Sequence, residues 1–262
     1  MNFPLYWIDA FADRVFAGNP AGVVPLDVWP DDSVLRSIAF ENGLSETAFF
    51  VRTGPARYQL RWFTPAVEID LCGHATLASA HVLFRELGQP GDLVTFDSRS
   101  GPLTVARRDD GKLELDFPAR PAAPAAPPPA LLAGLGRTPL FTARSERMWL
   151  CVYERSSDVL AIQPDHAALA QVQPGRIIPT APGDDCDFVS RFFAPDAGVP
   201  EDPVTGSAHC TLVPYWAARL GKIKLHARQV SRRGGELWCE YTGTRVRMAG
   251  HAVRYLRGEI TV

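Results

Sequence analysis

A sequence motif that occurs twice constrains this chain more than any other feature. The first copy runs from Arg61 to Gly88 and the second from Arg191 to Gly221. Each copy has an Arg-x-Phe-x-Pro segment, then a glutamate, then a glycine that opens an apolar stretch, and a closing Leu-Gly. The spacing from the glutamate to the closing glycine is the same in both copies, and only the preceding loop differs in length. This self-similarity predicts two homologous half-molecules, each with a strand, a tight loop, a glycine turn and a helix.

The glycine of each copy marks the start of a predicted helix. Gly73 is followed by His74, and Gly206 is followed by Ser207. A helix that begins there offers unpaired backbone N–H groups and the positive end of its dipole. If the two halves face each other across a pseudo-two-fold axis, both helix starts converge on an interdomain cleft suited to a carboxylate or an enolate. The alternative is a gene duplication whose loops only turn the chain.

We predict an α+β fold of two pseudo-symmetric domains, residues 1–118 and 119–262. Each domain is expected to be a curved, mostly antiparallel sheet wrapped around a central helix, at 74–87 and at 207–220. The first helix is apolar on nearly every face, which indicates burial. Pro214 lies inside the second helix and is expected to kink it or to remove one backbone bond.

Local signals predict several flanking elements. An amphipathic helix is expected after Asp31, stopped by Asn42-Gly43. The proline-rich stretch from Pro118 to Pro129 is expected to be a linker. Beyond it, we predict a strand at 159–162 and a helix at 165–171.

Composition narrows the classes of partner. Across 262 residues, 46% are hydrophobic and 21% are charged, with a formal net charge of -2. A net charge this close to zero gives no sign of the basic surface that binds nucleic acid or an anionic membrane. No signal peptide or membrane span is visible in the sequence, so we expect a cytoplasmic protein whose partner is a small molecule.

The cysteines and the absence of nucleotide motifs bear on cofactors. The 5 cysteines lack paired zinc-type spacing, which fits free thiols and predicts no metal site. The sequence contains neither a GxGxxG fingerprint nor a P-loop. We therefore expect no cofactor.

A few polar residues are candidates for chemistry. Glu46 precedes a strongly apolar strand, where partial desolvation would suit a general acid or base, although a solvated strand-edge glutamate is the alternative. Cys72 precedes Gly73 and has Thr205 as its counterpart in the second copy, so a second thiol is missing. His74 is either a ligand contact or a locally satisfied helix-start residue. The Asp202–Ser207 loop, with a proline and a glycine, is suited to holding a small group.

Several motifs in order along the chain resemble the PhzF-like phenazine-biosynthesis family. They are Asp9-Ala10-Phe11, Gly18-Asn19-Pro20-Ala21-Gly22-Val23, Leu44-Ser45-Glu46-Thr47, Cys72-Gly73-His74-Ala75-Thr76 and Glu201-Asp202-Pro203-Val204-Thr205-Gly206-Ser207-Ala208-His209. The resemblance spans nearly the whole chain. It implies the diaminopimelate epimerase-like fold, with the active site between two similar domains.

The resemblance also implies an activity and a set of site residues. The expected activity is that of a cofactor-free isomerase that moves a proton on a small carboxylate substrate, and a homodimer is expected. The proton-shuttling glutamate of the family corresponds to Glu46. The substrate-binding positions correspond to Asn19, Gly73, His74, Asp202, Gly206 and Ser207.

Two other functions remain open from the sequence. One is an amino-acid racemase or epimerase that uses Cys72 as a base, in place of one of the two cysteines of the related enzymes. The other is a small-molecule-binding protein without turnover. Thr205 disfavours the first alternative, and intact Glu46 and Asp202 disfavour the second.

Overall fold

The chain folds into many short strands and few helices in a computed structural model that describes residues 1–262. The strands are β1 (Asn2–Ala10), β2 (Asn19–Leu26), β3 (Glu46–Gly54), β4 (Arg57–Phe63), β5 (Glu68–Ile69), β6 (Leu93–Ser98), β7 (Gly101–Arg107), β8 (Leu113–Pro118), β9 (Ala123–Pro124), β10 (Phe141–Arg144), β11 (Trp149–Val152), β12 (Ile177–Pro182), β13 (Phe188–Ser190), β14 (Lys224–Gln229), β15 (Gly235–Tyr241), β16 (Arg245–Gly250) and β17 (Ala252–Thr261). The fold is α+β, as the sequence predicts.

The α-helices are α1 (Asp32–Asn42), α2 (Gly73–His81), α3 (Pro129–Leu135), α4 (Ser156–Leu160), α5 (His166–Leu169) and α6 (Gly206–Leu220). A π-helical segment, Val82–Glu86, follows α2 directly, and a 3₁₀ turn covers Pro195–Ala197. None of the helices combines the length and the apolar character that crossing a bilayer requires.

Two compact units make up the chain. The first comprises Met1–Asp116 with Ala249–Val262, and the second comprises Phe117–Met248. The sequence predicts a boundary after residue 118, close to this division, but it assigns the C-terminal residues to the second domain. They belong to the first unit because β17 pairs antiparallel with β1 over its whole length, with Asn2 opposite Thr261 and Ala10 opposite Ala252.

The same order of strand pairings occurs in both units. In the first, β2 and β3 are parallel, β3 and β4 antiparallel, and β4 and β6 parallel. In the second, β11 and β12 are parallel, β12 and β13 antiparallel, and β13 and β14 parallel. Other pairings within each unit, such as β1 with β2 and β14 with β15, are antiparallel. The repeated motif therefore corresponds to a repeated topology.

An equivalent ion pair stabilises the loop before each repeated helix. Nε of Arg61 lies 2.8 Å from Oε1 of Glu68, and Nε of Arg191 lies 2.7 Å from Oε1 of Glu201. Both pairs are bidentate, since the second guanidinium nitrogen of each arginine also donates to its glutamate. The arginine and the glutamate that recur in the sequence thus have the same structural role in both units.

The predicted central helices are buried within their own units. In α2, every residue from His74 to Ala80 is buried, and the helix packs against β1, β2 and β3. The sequence predicts the first helix at 74–87, but α-helical bonding ends at His81 and the π-helical segment continues to Glu86. In the second unit, α6 runs from Gly206 to Leu220, with Pro214 in its interior and Gly221 in the left-handed conformation as its C-terminal cap.

The helices and strands outside the repeats match the predictions from the sequence only in part. Helix α1 ends at Asn42, with Gly43 in the left-handed conformation at φ 63°, as predicted. The predicted strand at 159–162 is wrong, because α4 covers Ser156–Leu160. Asp158 accepts a hydrogen bond from the backbone N–H of Arg155 at 3.3 Å, and this cap favours a helical turn. The expected linker ends in α3, whose first residue is Pro129.

Candidate acid/base centre

Glu46 and Asn19 begin neighbouring strands of the first unit. Glu46 is the first residue of β3, and Asn19 is the first residue of β2. The two strands are parallel, with Ala21 opposite Glu46, so both residues lie at the same edge of the sheet. Gly18 permits this arrangement, because it has φ +67° and a Cβ there would lie 2.2 Å from the carbonyl oxygen of Ala10.

Helix α2 brings His74 to this edge. Cys72 is the N-terminal cap residue in extended conformation, Gly73 is the first helical residue, and His74 is the next. The helix packs its small and apolar residues against β1, β2 and β3, which fixes its first turn over the strand ends. Residues from three separate segments of the sequence therefore meet, and we call Asn19, Glu46, Cys72 and His74 the Glu46 cluster.

The imidazole of His74 lies at the middle of the Glu46 cluster. Its Nε2 lies 3.2 Å from Oε2 of Glu46, and its Nδ1 lies 3.2 Å from Nδ2 of Asn19 and 3.5 Å from Sγ of Cys72. When Asn19 donates to Nδ1, the ring proton resides on Nε2 and faces the carboxylate. A half-turn of the Asn19 amide would present its oxygen instead and would let Nδ1 carry a proton.

Burial differs within the Glu46 cluster. Asn19, Cys72 and His74 are buried, whereas the side chain of Glu46 is 15% exposed. The carboxylate is therefore the member of the cluster that a solute can reach most easily. This arrangement suits a proton-transferring group, since Oε2 of Glu46 is buried against His74 while the rest of the side chain is partly exposed.

The environment shifts the pKa values of His74 and Cys72. Burial acts to lower the pKa of His74, but Cys72 and Glu46 outweigh it, and the pKa lies well above the ordinary 6.5. Burial raises the pKa of the Cys72 thiol, and the nearby Glu46 carboxylate adds to the rise. At neutral pH the cluster therefore contains a protonated thiol and a histidine that holds its proton beside Glu46.

The cluster also contains three types of metal ligand. A carboxylate oxygen of Glu46, Sγ of Cys72 and a ring nitrogen of His74 all lie within 4.8 Å of one another. The sequence predicts no metal site, because these residues have no short regular spacing. Folding brings them together from the start of a strand and the start of a helix.

A second polar network precedes α6 in the other unit. The hydroxyl of Thr205 donates to Oδ2 of Asp202 at 2.5 Å. Gln229 accepts a hydrogen bond from the backbone N–H of Thr205 at 2.8 Å and donates to the carbonyl oxygen of Asp202 at 2.7 Å. Gly206 and the half-buried Ser207 follow as the first residues of α6. The Asp202–Ser207 loop is thus held by its own side chains and by Gln229.

Cys72 and Thr205 occupy equivalent positions. The hydroxyl of Thr76 donates to the carbonyl oxygen of Cys72, and Nδ1 of His209 donates to that of Thr205 at 2.9 Å. Each donor lies four residues beyond its acceptor, at the same point of the repeat. Burial lowers the pKa of His209 to about 4, so this imidazole is neutral and has a structural role.

Gln229 supports the candidate site, although the sequence does not indicate it. It lies on β14, it is 1% exposed, and it makes the bonds that hold the Asp202–Ser207 loop. No local pattern distinguishes it from other strand glutamines, because its role depends on a contact between residues far apart in the sequence.

The predicted site residues fall into two groups. Asp202, Gly206 and Ser207 lie together in the second unit, and Asn19, Glu46, Cys72, Gly73 and His74 lie together in the first.

The five cysteines are free thiols in the structure, namely Cys72, Cys151, Cys186, Cys210 and Cys239. This agrees with the expectation from their spacing. Burial raises the pKa of Cys210 to about 12 and that of Cys186 to about 11. Cys72 differs from the others because a histidine and a carboxylate lie beside it.

Comparison with known proteins places the chain among phenazine biosynthesis-like proteins. The family model PhzC-PhzF, described as phenazine biosynthesis-like protein, matches residues 8–258. A protein of Pseudomonas aeruginosa named an uncharacterized isomerase is 52% identical over 260 residues, which is 99% of each chain.

Solved structures show the same fold. A phenazine biosynthesis protein of the PhzF family from Enterococcus faecalis has a TM-score of 0.96 and 45% identity, with 100% of both chains covered. A hydroxyproline epimerase from Agrobacterium vitis has a TM-score of 0.61 at 11% identity, covering 99% of this chain and 92% of its own. The second likeness establishes the epimerase-like fold alone.

Proposed function

The chain belongs to the PhzC-PhzF family of phenazine biosynthesis-like proteins, and on that premise we propose a cofactor-independent isomerase that moves a proton on a small carboxylate substrate. Relatives of high identity are named isomerases, and the chain is an enzyme of that class. We assign the proton transfer to Glu46. The contact between Glu46 and His74 is the observation that carries this assignment.

Proton removal beside a carboxylate needs a base within reach and a group that stabilises the resulting charge. The partly exposed carboxylate of Glu46 fits the first requirement. The start of α2 fits the second, because the backbone N–H groups of its first turn have no intrahelical acceptor and its dipole favours negative charge. His74 is held between Asn19 and Glu46, so it orients the carboxylate.

A single carboxylate is enough for migration on one face of the substrate. Glu46 would take the proton from one carbon, hold it as the carboxylic acid, and return it to another carbon of the same delocalised system. The reaction then needs no second base on the opposite face.

We propose further residues for substrate binding. Backbone N–H groups at Gly73 and Gly206 are suited to carboxylate oxygens, because each glycine is the first residue of a long repeated helix. The side chains proposed for substrate contact are Asn19, His74, Asp202 and Ser207. The network of Thr205 and Gln229 supports this role for Asp202 by fixing its loop.

A second candidate function uses Cys72 as the base of a racemase or epimerase. The 3.5 Å contact between its Sγ and Nδ1 of His74 favours it, since thiol and imidazole can exchange a proton. Two observations oppose it. Burial raises the pKa of the thiol, and the equivalent Thr205 uses its hydroxyl to bond Asp202. We therefore prefer Glu46.

Solvent-deuterium incorporation tests the proposal without knowledge of the substrate. A panel of amino acids and cyclic carboxylic acids is incubated with the enzyme in D₂O, and mass spectrometry reads the label. We expect label in at least one carboxylate, with none when the Glu46→Gln variant replaces the wild type. Label that depends on Cys72 and not on Glu46 would favour the racemase.

Two further features of the proposal can be checked directly. Full activity after exhaustive chelation supports cofactor independence, whereas loss that added metal restores would oppose it. The homodimer rests on family resemblance. Light scattering at working concentrations should give twice the chain mass of 28.7 kDa, and the mass of a monomer would remove this expectation.

A further inference from the structure

We propose that Glu46, Cys72 and His74 form a site for one Zn²⁺ ion, and that the ion inhibits the enzyme by occupying its acid/base group. The site uses residues of a single unit. Zinc binding follows from the ligand geometry alone, whereas inhibition rests on the proposed function of Glu46.

The spacing of the three ligand atoms suits a tetrahedral ion. Nε2 of His74 lies 3.2 Å from Oε2 of Glu46 and 4.0 Å from Sγ of Cys72. With Zn–S of about 2.3 Å and Zn–N or Zn–O of about 2.0–2.2 Å, tetrahedral ligands lie roughly 3.3–3.6 Å apart. All three ligand atoms lie within 4.8 Å of one another, so Sγ of Cys72 is the atom that has to move closer when the ion binds.

The ligand types select zinc over the common hard cations. Thiolate, imidazole and carboxylate are the groups that bind Zn²⁺, whereas Mg²⁺ requires an octahedral shell of oxygen atoms. Three protein ligands leave one position for water, which matches an ion that arrives from solvent past the partly exposed Glu46. Cys72 differs from the other thiols of the chain because it lies beside both a histidine and a carboxylate.

The surroundings of His74 can support it as a metal ligand. A metal-bound imidazole donates its other N–H to a nearby acceptor. Asn19 lies 3.2 Å from Nδ1, and its amide oxygen can serve as that acceptor after a half-turn. On binding, the thiol proton of Cys72 and the Nε2 proton of His74 both pass to solvent, and Nδ1 keeps the proton that it donates to Asn19. Zinc binding should therefore release protons and strengthen as pH rises.

The bound ion occupies the two groups on which the proposed proton transfer depends. It takes the Glu46 oxygen that faces His74, and it replaces the ring proton at Nε2 by a metal bond. A carboxylate bound to a divalent cation is a much weaker base, so Glu46 no longer takes the substrate proton effectively. The inhibition should be reversed by a chelator, because no covalent bond of the protein changes.

The test is a zinc titration of the full-length, chelator-treated protein in competition with a fluorescent zinc indicator. We expect one ion per chain, no competition from a large excess of Mg²⁺, and a thiolate-to-metal absorption band when Co²⁺ replaces Zn²⁺. Cys72→Ser and Glu46→Gln should each weaken binding more than ten-fold. Cys186→Ser is the matched control, because this half-buried thiol donates to the carbonyl oxygen of Phe188 and should leave zinc affinity unchanged.

The outcomes separate the site from the function. Absence of zinc binding, or equal affinity in wild type, Cys72→Ser and Glu46→Gln, would overturn the site. Circular dichroism of both variants excludes misfolding as the cause of lost binding. If zinc binds and the deuterium exchange of the wild type is unaffected, the inhibitory role is overturned while the site stands. Failure to find any substrate would leave the zinc titration fully decisive for the site.

Discussion

Nε2 of His74 lies 3.2 Å from Oε2 of Glu46, although the two residues come from different segments of the first unit. Glu46 starts a strand, and His74 is the second residue of the buried helix α2. The helix cannot move relative to the sheet without disturbing its packing on β1, β2 and β3. The position of the histidine is therefore set by the core, and the carboxylate is oriented by a rigid partner.

Glu46→Gln should abolish turnover and preserve ligand binding. The amide keeps the size and much of the hydrogen bonding of the carboxylate but cannot accept and return a proton. The rate should fall by about 10²–10⁴-fold, as for the loss of a general acid/base group. The measurement is the deuterium-exchange rate on the substrate found in the screen, with binding followed by thermal shift. An active Glu46→Gln enzyme would transfer the catalytic role elsewhere.

Cys72→Ser should keep most of the activity. The thiol is protonated at neutral pH because burial and Glu46 raise its pKa, so it is not the resting base. Serine fits the volume and can still contact Nδ1 of His74. The same exchange assay checks this, with Cys210→Ser as a control for a buried thiol near no carboxylate cluster. A Cys72→Ser enzyme as inactive as Glu46→Gln would revive the racemase.

Gln229→Met should lower stability and weaken substrate binding. Methionine retains the volume but loses the bonds to the backbone of Thr205 and Asp202, which leaves buried polar groups unpaired. The free energy of unfolding should fall by about 2–4 kcal/mol, from the cost of two or three such groups. Urea denaturation gives the stability, and KM should rise more than kcat falls. The exposed Gln171→Met is the matched control and should change neither.

Whether the sequence predicts a structural feature depends on how far apart along the chain the contacting residues lie. The repeat predicts two similar units, and the Arg61–Glu68 and Arg191–Glu201 pairs show why the motif recurs, since both charges are needed to hold the same loop. Gln229 lies outside the repeat and acts through a contact across the fold, so sequence spacing gives no sign of it.

The candidate site shows the same limit. Glu46 and His74 are predicted by motif, but their distance and the neighbouring thiol are set by the parallel pairing of β2 with β3 and by the packing of α2. The predicted strand at 159–162 failed for a local reason. An apolar run of that length is compatible with a strand or a helix. The capping contact between Arg155 and Asp158 favours the helix.

Arg61→Lys and Arg191→Lys should have similar effects on stability. Lysine keeps the charge but cannot form the bidentate contact that each arginine makes with its glutamate. Each variant should lose about 2 kcal/mol, the value of one hydrogen bond to a charged group. Thermal and urea unfolding measure both. A loss confined to one variant would show that the repeated pair is not equivalent in the two units.

His209 should make the protein less stable as pH falls below about 6.5. Burial lowers its folded pKa from 6.5 to about 4, so between these values the unfolded chain binds a proton that the folded chain does not. Stability is therefore unaffected at neutral pH, declines through this window, and reaches its full loss below about 4. The contribution of His209 to the loss of stability at pH 4.5 is about 2–3 kcal/mol, from about 1.4 kcal/mol for each unit of pKa difference.

The His209→Asn variant keeps a donor for the carbonyl oxygen of Thr205 but does not titrate. Urea unfolding at pH 7 and pH 4.5 should give a smaller pH dependence for the variant than for the wild type. His81, whose pKa is also lowered to about 4 by burial, supplies a remaining dependence in both proteins. Identical pH dependence in variant and wild type would mean that folding does not shift the pKa of His209.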